Sequence, residues 1–191
     1  MQLINLKKNQ SGFTLVEIAI VLVIIGLLLG GVLKGKEMIK SAKVKKTIKM
    51  ADEFRAATMT FYDKYGVYPG DENNVNIPSN DAHNGNGDGL ISSAERYMVF
   101  EDLMNAGFIS GSYDGTSELP QHAFGGNVAI YWTTALSAPA DHYIVMWNLP
   151  WDAAMEIDMK YDDGKENTGS IRSSETYDES SGPISYIIWA L

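Results

Sequence analysis

Residues 12–33 read GFTLVEIAIVLVIIGLLLGGVL. From Phe13 to Leu33 an apolar run is interrupted only by Thr14, Glu17 and glycines. At the rise of an α-helix this run spans about 30 Å, enough to cross a bilayer. It is longer than the apolar core of an ordinary secretory signal, and no A-x-A cleavage pattern follows it. The residues before it, MQLINLKKNQSG, are polar and basic, so Lys7 and Lys8 belong on the cytoplasmic side. Glu17 does not fit a plain anchor. A lone carboxylate in hydrocarbon is costly, and its presence asks for a partner.

The rest of the 191-residue chain is long enough for one soluble domain with a core of its own. It has no cysteine, so neither a disulfide nor a thiolate metal site can stabilise an exported head. A bound metal ion is one substitute. The net charge of −9 is unevenly spread. Lys34, Lys36, Lys40, Lys43, Lys45, Lys46, Lys49 and Arg55 crowd the stretch after the apolar run, whereas the remainder is strongly acidic. That balance excludes nucleic-acid binding through the head and favours solubility and cation binding.

The string SGFTLVEIAIVLVIIGLLLGG resembles the leader and first helix of type IV pilins and type II secretion pseudopilins. The resemblance implies that a prepilin peptidase cuts after Gly12 and that the new terminal residue, Phe13, is N-methylated. It also implies a role for Glu17: neutralising the Phe13 amine of a neighbouring subunit during assembly. Physically, a buried acid is tolerated when an opposite charge meets it in a low-dielectric bundle. The resemblance further implies self-association or association with other pilin-like subunits, an inner-membrane assembly platform, and a periplasmic head. It extends through KKTIKMADEFRAATMTFYDKYGVYPGD and, less closely, ERYMVFEDLMNAGFISGSY.

Past the membrane segment, Val44, Ile48, Ala51, Phe54, Thr58, Phe61 and Tyr65 recur at three- and four-residue intervals, one stripe of an amphipathic helix. Tyr68-Pro69-Gly70 is the predicted stop. Gly26, Gly30, Gly31 and Gly35 suit close helix packing or a weak point in the helix. Many type IVa pilins carry a proline in this region, and this chain has none. The predicted organisation is a leader at 1–12, a transmembrane or filament-core helix at 13–35, its amphipathic continuation at 36–68, and a globular α+β head at 69–191.

Residues 84–95, NGNGDGLISSAE, match the calcium loop of an EF-hand. Asn84, Asn86 and Asp88 take the first ligand positions, Gly89 the sharp turn, Leu90 the carbonyl, Ser92 the water-linked position, and Glu95 the bidentate acid. Asn84 replaces the usual aspartate, which lowers the ligand charge, and Asp81 could contribute instead. Only the downstream flank reads as a helix, 93–106. The alternative is a glycine-rich loop in which Ser92 and Glu95 form a capping box. A further acidic stretch at 156–172 follows a predicted short helix at 151–159. It reads either as a solvated turn at Asp163-Gly164 or as a second calcium site through Asp158, Asp162 and Asp163, since major pseudopilins bind calcium near their C-terminal sheet.

Strand-like runs at 128–133, 142–147 and 184–191 predict an antiparallel sheet packed on the second half of the long helix. No hydrolase, zinc or phosphate-loop motif occurs, so an enzyme is not expected. Trp132, Trp147, Trp151 and Trp189 lie mostly on apolar runs and read as packing rather than as a sugar-binding surface. The predicted function is a structural filament subunit whose head binds calcium. A membrane-anchored calcium-dependent binding domain that does not polymerise is the alternative, and it needs neither Gly12 nor Glu17.

Overall fold

The structure, a computed structural model, describes Gly12 and residues 14–191. Helix α1 (Leu15–Tyr65) is continuous over 51 residues. It contributes to two compact units, the described residues up to Lys40 and Ser41–Leu191.

In the first unit the apolar side chains are exposed: Leu15, Leu27 and Leu33 are 87%, 73% and 67% exposed. An 18-residue window here has a mean hydropathy of 2.8, and the helix is long and apolar enough to cross a membrane. A Cβ on Gly26, Gly30, Gly31 or Gly35 would meet nothing within 4 Å. No contact among the described residues therefore requires glycine at these positions.

In the second unit the amphipathic stripe is the floor of the core. Val44, Ala51, Thr58 and Phe61 are fully buried, and Ile48 and Phe54 nearly so. Phe54 meets Phe100 edge-on at 5.1 Å, and Phe61 meets Phe108 at 6.4 Å. The helix ends earlier than Tyr68-Pro69-Gly70. Gly66 adopts φ +76° and its N–H bonds the Tyr62 carbonyl at 2.8 Å. A glycine in the left-handed conformation closes the last turn on its own, so the proline is not the stop.

The head is α+β. After a 3₁₀ turn at Glu95–Tyr97 come α2 (Met98–Asn105), β1 (Val128–Thr133), β2 (Asp141–Pro150), α3 (Trp151–Tyr161), β3 (Ile171–Ser173) and β4 (Pro183–Ala190). The strands form one antiparallel sheet in the order β1-β2-β4-β3. Alternation assigns the faces. Ile130, Ile144, Met146, Ile187 and Trp189 join the core with α1 and with Ala153, Ala154 and Ile157 of α3. Tyr143, Val145 and Ile188 form a smaller cluster on the other face, covered by Leu136 and Ala138. Of the tryptophans, Trp189 is core, while Trp132, Trp147 and Trp151 are half-buried.

Phe61 is the largest fully buried side chain on α1. Phe61→Ala is expected to lower the unfolding free energy by about 3–5 kcal/mol, the usual result of removing a buried phenylalanine. Chemical denaturation measures it, and an unchanged midpoint would contradict this packing of helix against head.

Candidate functional site

The polar centre of the head begins at Pro69-Gly70-Asp71-Glu72. Gly70 takes φ +79°, and its N–H donates to Asp102 Oδ2 of α2 at 2.5 Å. A Cβ here would stand 2.9 Å from the Val99 backbone nitrogen, so glycine lets α2 approach. The glycine-rich segment 85–89 lies against this turn through its backbone. The Asp71 carboxylate accepts the Asp88 and Gly89 N–H groups at 3.0 and 2.9 Å. The Asp71 and Glu72 carbonyls accept those of Gly87 and Gly85, both at 2.7 Å. Gly85 sits so close that a Cβ would overlap the Gly70 carbonyl and lie 2.6 Å from Asp71 Cα.

Within loop 84–95 the side-chain oxygens turn inward to the loop's own backbone. Glu95, 5% exposed, accepts the Asn86 N–H through Oε1 at 3.0 Å and the Ser92 N–H through Oε2 at 2.7 Å. Asn86 Oδ1 accepts the Asp88 N–H at 2.8 Å, and Asp88 Oδ1 accepts the Leu90 N–H at 2.9 Å. Leu90 is exposed and Ser92 half-buried. Asn84 differs from the others, because its amide oxygen is buried and has no partner. The loop's two carboxylates, Asp88 and Glu95, are thus engaged by backbone donors.

A second set of oxygens adjoins the loop. Glu72, Asp81 and Asp102 each place one carboxylate oxygen within 4.8 Å of the others. Glu72 and Asp102 are 1% and 0% exposed. Burial pushes both carboxyl groups well above the usual carboxylate range, and for Asp102 the neighbouring Glu72 adds to the effect. Asp81 Oδ1 accepts the His83 N–H at 3.3 Å, and the His83 ring bonds Glu101 at 2.8 Å. Neither Glu72 nor Asp102 was among the ligands read from the sequence. The signal available for Asp102 was its spacing, three residues after Val99 within the helix read at 93–106.

Asp158, Asp162 and Asp163 also converge, with oxygens within 4.8 Å. Here each carboxylate is already bonded. Asp158 accepts the Gly164 N–H at 2.9 Å and the Tyr177 hydroxyl at 2.7 Å. Asp162 accepts the Ile171 N–H at 2.8 Å, and Asp163 accepts the Thr168 hydroxyl at 2.5 Å. The other two histidines also serve the backbone. His142 Nε2 accepts the Ile91 N–H at 3.0 Å, and His122 Nε2 lies 2.8 Å from the Trp147 carbonyl oxygen.

In the first unit, Thr14 and Glu17 form a reciprocal helix cap. The Thr14 N–H and hydroxyl both donate to Glu17 Oε2 at 2.8 Å, and the Glu17 N–H donates to Thr14 Oγ1 at 3.2 Å. This is a capping box, and the Thr-x-x-Glu spacing was legible in the sequence beside the pairing role. Gly12 is exposed. Phe13, read as the methylated residue and the partner of Glu17, lies outside the described residues.

Residues 7–33 match the family model of the prokaryotic N-terminal methylation motif. The chain therefore carries the prepilin-type signal of type IV pilins and pseudopilins, a structural family whose precursors are processed by a prepilin peptidase and assemble into filaments. With its apolar helix, this signal fits an inner-membrane precursor. No curated protein and no solved structure matches the chain.

The approach of segment 85–89 to the PGDE turn leaves no room for a side chain at Gly85. Gly85→Ala is expected to destabilise the head by about 1–3 kcal/mol through overpacking. Thermal melting of the wild-type and variant proteins measures it, and an unchanged melting temperature would show that the turn and the loop are not in contact.

Proposed function

We propose that the chain is a structural subunit of a type IV pilus or a type II secretion filament. It is cut after Gly12, methylated on Phe13 and polymerised through its N-terminal helix, with calcium stabilising the head. The observation that carries this reading is the methylation motif over residues 7–33, joined to the exposed apolar side chains of the first half of α1. Such a surface is stable only against lipid or other helices. In the membrane it would anchor the precursor with the head in the periplasm. In a filament it would pack against copies of itself or other pilin-like subunits delivered by an inner-membrane assembly platform. The four glycines, beside which a Cβ would meet none of the described residues within 4 Å, would let neighbouring helices approach closely.

Glu17 supports the same reading. A neighbour's Phe13 amine would meet it once the leader is gone, and the pair would fix the axial register between subunits. Gly12→Val is expected to leave the precursor uncut, because a β-branched side chain crowds a peptidase site fitted to glycine. Mass spectrometry of the membrane fraction would then find the Met1 terminus, where the wild type shows methylated Phe13. Glu17→Leu should insert in the membrane as well as the wild type or better, since a charge is removed from the apolar run. Its filaments should be absent or sparse by electron microscopy, and filaments in wild-type numbers would refute the pairing role.

A further inference from the structure

Glu72, Asp81 and Asp102 come from the PGDE turn, the connection after it and α2. Three carboxyl groups with oxygens within 4.8 Å of one another are held together by a shared proton or by a cation between them. A separate observation concerns hydrogen bonding. Glu72 is 1% exposed, yet neither of its carboxylate oxygens has a partner, and Asp102 Oδ1 and Asp81 Oδ2 are likewise buried and unpartnered. The amide oxygen of Asn84 is in the same condition, one residue before the N–H that bonds the Glu72 carbonyl. Acceptor oxygens in a protein interior are ordinarily satisfied, and five unsatisfied ones on four residues are an exception that asks for a ligand. Among the described residues no lysine or arginine forms an ion pair with any of the three acids.

We propose that Glu72, Asp81 and Asp102, with Asn84 as a candidate fourth donor, hold a calcium ion that ties the PGDE turn to α2. The proposal rests on the calcium-stabilised head above and names its ligands, which are not the carboxylates of loop 84–95. Every donor is a hard oxygen, the set that calcium and magnesium prefer. Calcium binds six to eight oxygens at 2.3–2.6 Å, so two oxygens on one ion lie up to about 5 Å apart, in keeping with the cluster. Glu72, with both oxygens free, can bind side-on. Up to five protein oxygens then leave a few positions for water, which is a calcium-like shell. Magnesium usually keeps several waters and takes only one or two carboxylates. The loop motif still has a part in this arrangement: its backbone, locked to Asp71, holds Asn84 next to Glu72, while Glu95 and Asp88 fasten the loop itself.

The test uses the mature full-length protein in detergent micelles, with thermal melting and calorimetric titration in CaCl₂, MgCl₂ or EDTA. At a hundredfold excess over Kd, calcium should raise the melting temperature by about 5–10 °C over EDTA, and magnesium by less than half as much. Glu72→Gln and Asp102→Asn should lose the calcium-dependent rise. Asp81→Asn, at a half-buried position, gives the same reading should either of those variants fail to fold. Asp88→Ala and Glu95→Gln should keep the rise. Loss of the rise in Asp88→Ala and Glu95→Gln, with retention in Glu72→Gln and Asp102→Asn, would place the ion in loop 84–95. That result would overturn this site and leave a calcium-stabilised head intact. An equal rise in magnesium would overturn the calcium assignment, and no rise in the wild type would overturn both readings.

Discussion

The polar side of the head depends on how the Asp71 carboxylate is held. It is almost fully buried, and burial raises its pKa, yet it accepts two backbone N–H groups from the tip of the glycine-rich loop. Those bonds compensate for lost hydration and favour the charged form. They also bring residues 85–89 across the chain at 70–72. From that crossing follow the close contact at Gly85, the position of Asn84, and the facing of Glu72 toward Asp81 and Asp102. Without it the segment from Gly70 to Leu90 would be a long polar connection with little apolar surface to offset its ordering entropy.

The apolar core of the head rests on a different principle. There the second half of α1 supplies a continuous apolar stripe, and the sheet covers it with alternate residues from each strand. Hydrophobic burial is non-directional and tolerant of detail. The polar centre is neither, because each acceptor needs a donor at a particular place. The chain thus separates a forgiving core from an exacting hub, and α2 belongs to both: Val99, Phe100 and Leu103 face the core while Asp102 faces the hub.

Much of this was legible in the sequence. The apolar run stands out by its length, and the amphipathic stripe and three of the four strands by composition and spacing, which report what an element buries. The missed strand, Ile171–Ser173, is only three residues long and has too little alternation to stand out. The motif at 84–95 lies on the glycine-rich segment that packs against the PGDE turn. Spacing along a chain cannot say whether a carboxylate faces a ligand or its own backbone, and Glu95 and Asp88 face the backbone. Nor can it bring Glu72 and Asp102 together, since they are distant in sequence and meet only through the packing of α2 on Gly70. At the N-terminus Glu17 was read through a partner on another molecule, whereas the Thr14 cap is local and was available from spacing alone.

One contact joins remote parts of the fold. Arg55, on α1, stacks over the Trp189 ring at 4.8 Å and donates to the Ala190 carbonyl at 2.9 Å, a bond that spans 135 positions. The acceptor belongs to the backbone, so the side chain at 190 is not specified by it. The guanidinium monitors the length and placement of the closing strand rather than its spelling. Substitution at 190 is compatible with the contact, whereas a one-residue insertion or deletion within β4 would shift a different carbonyl, or none, under the arginine and turn every following side chain to the other face of the sheet.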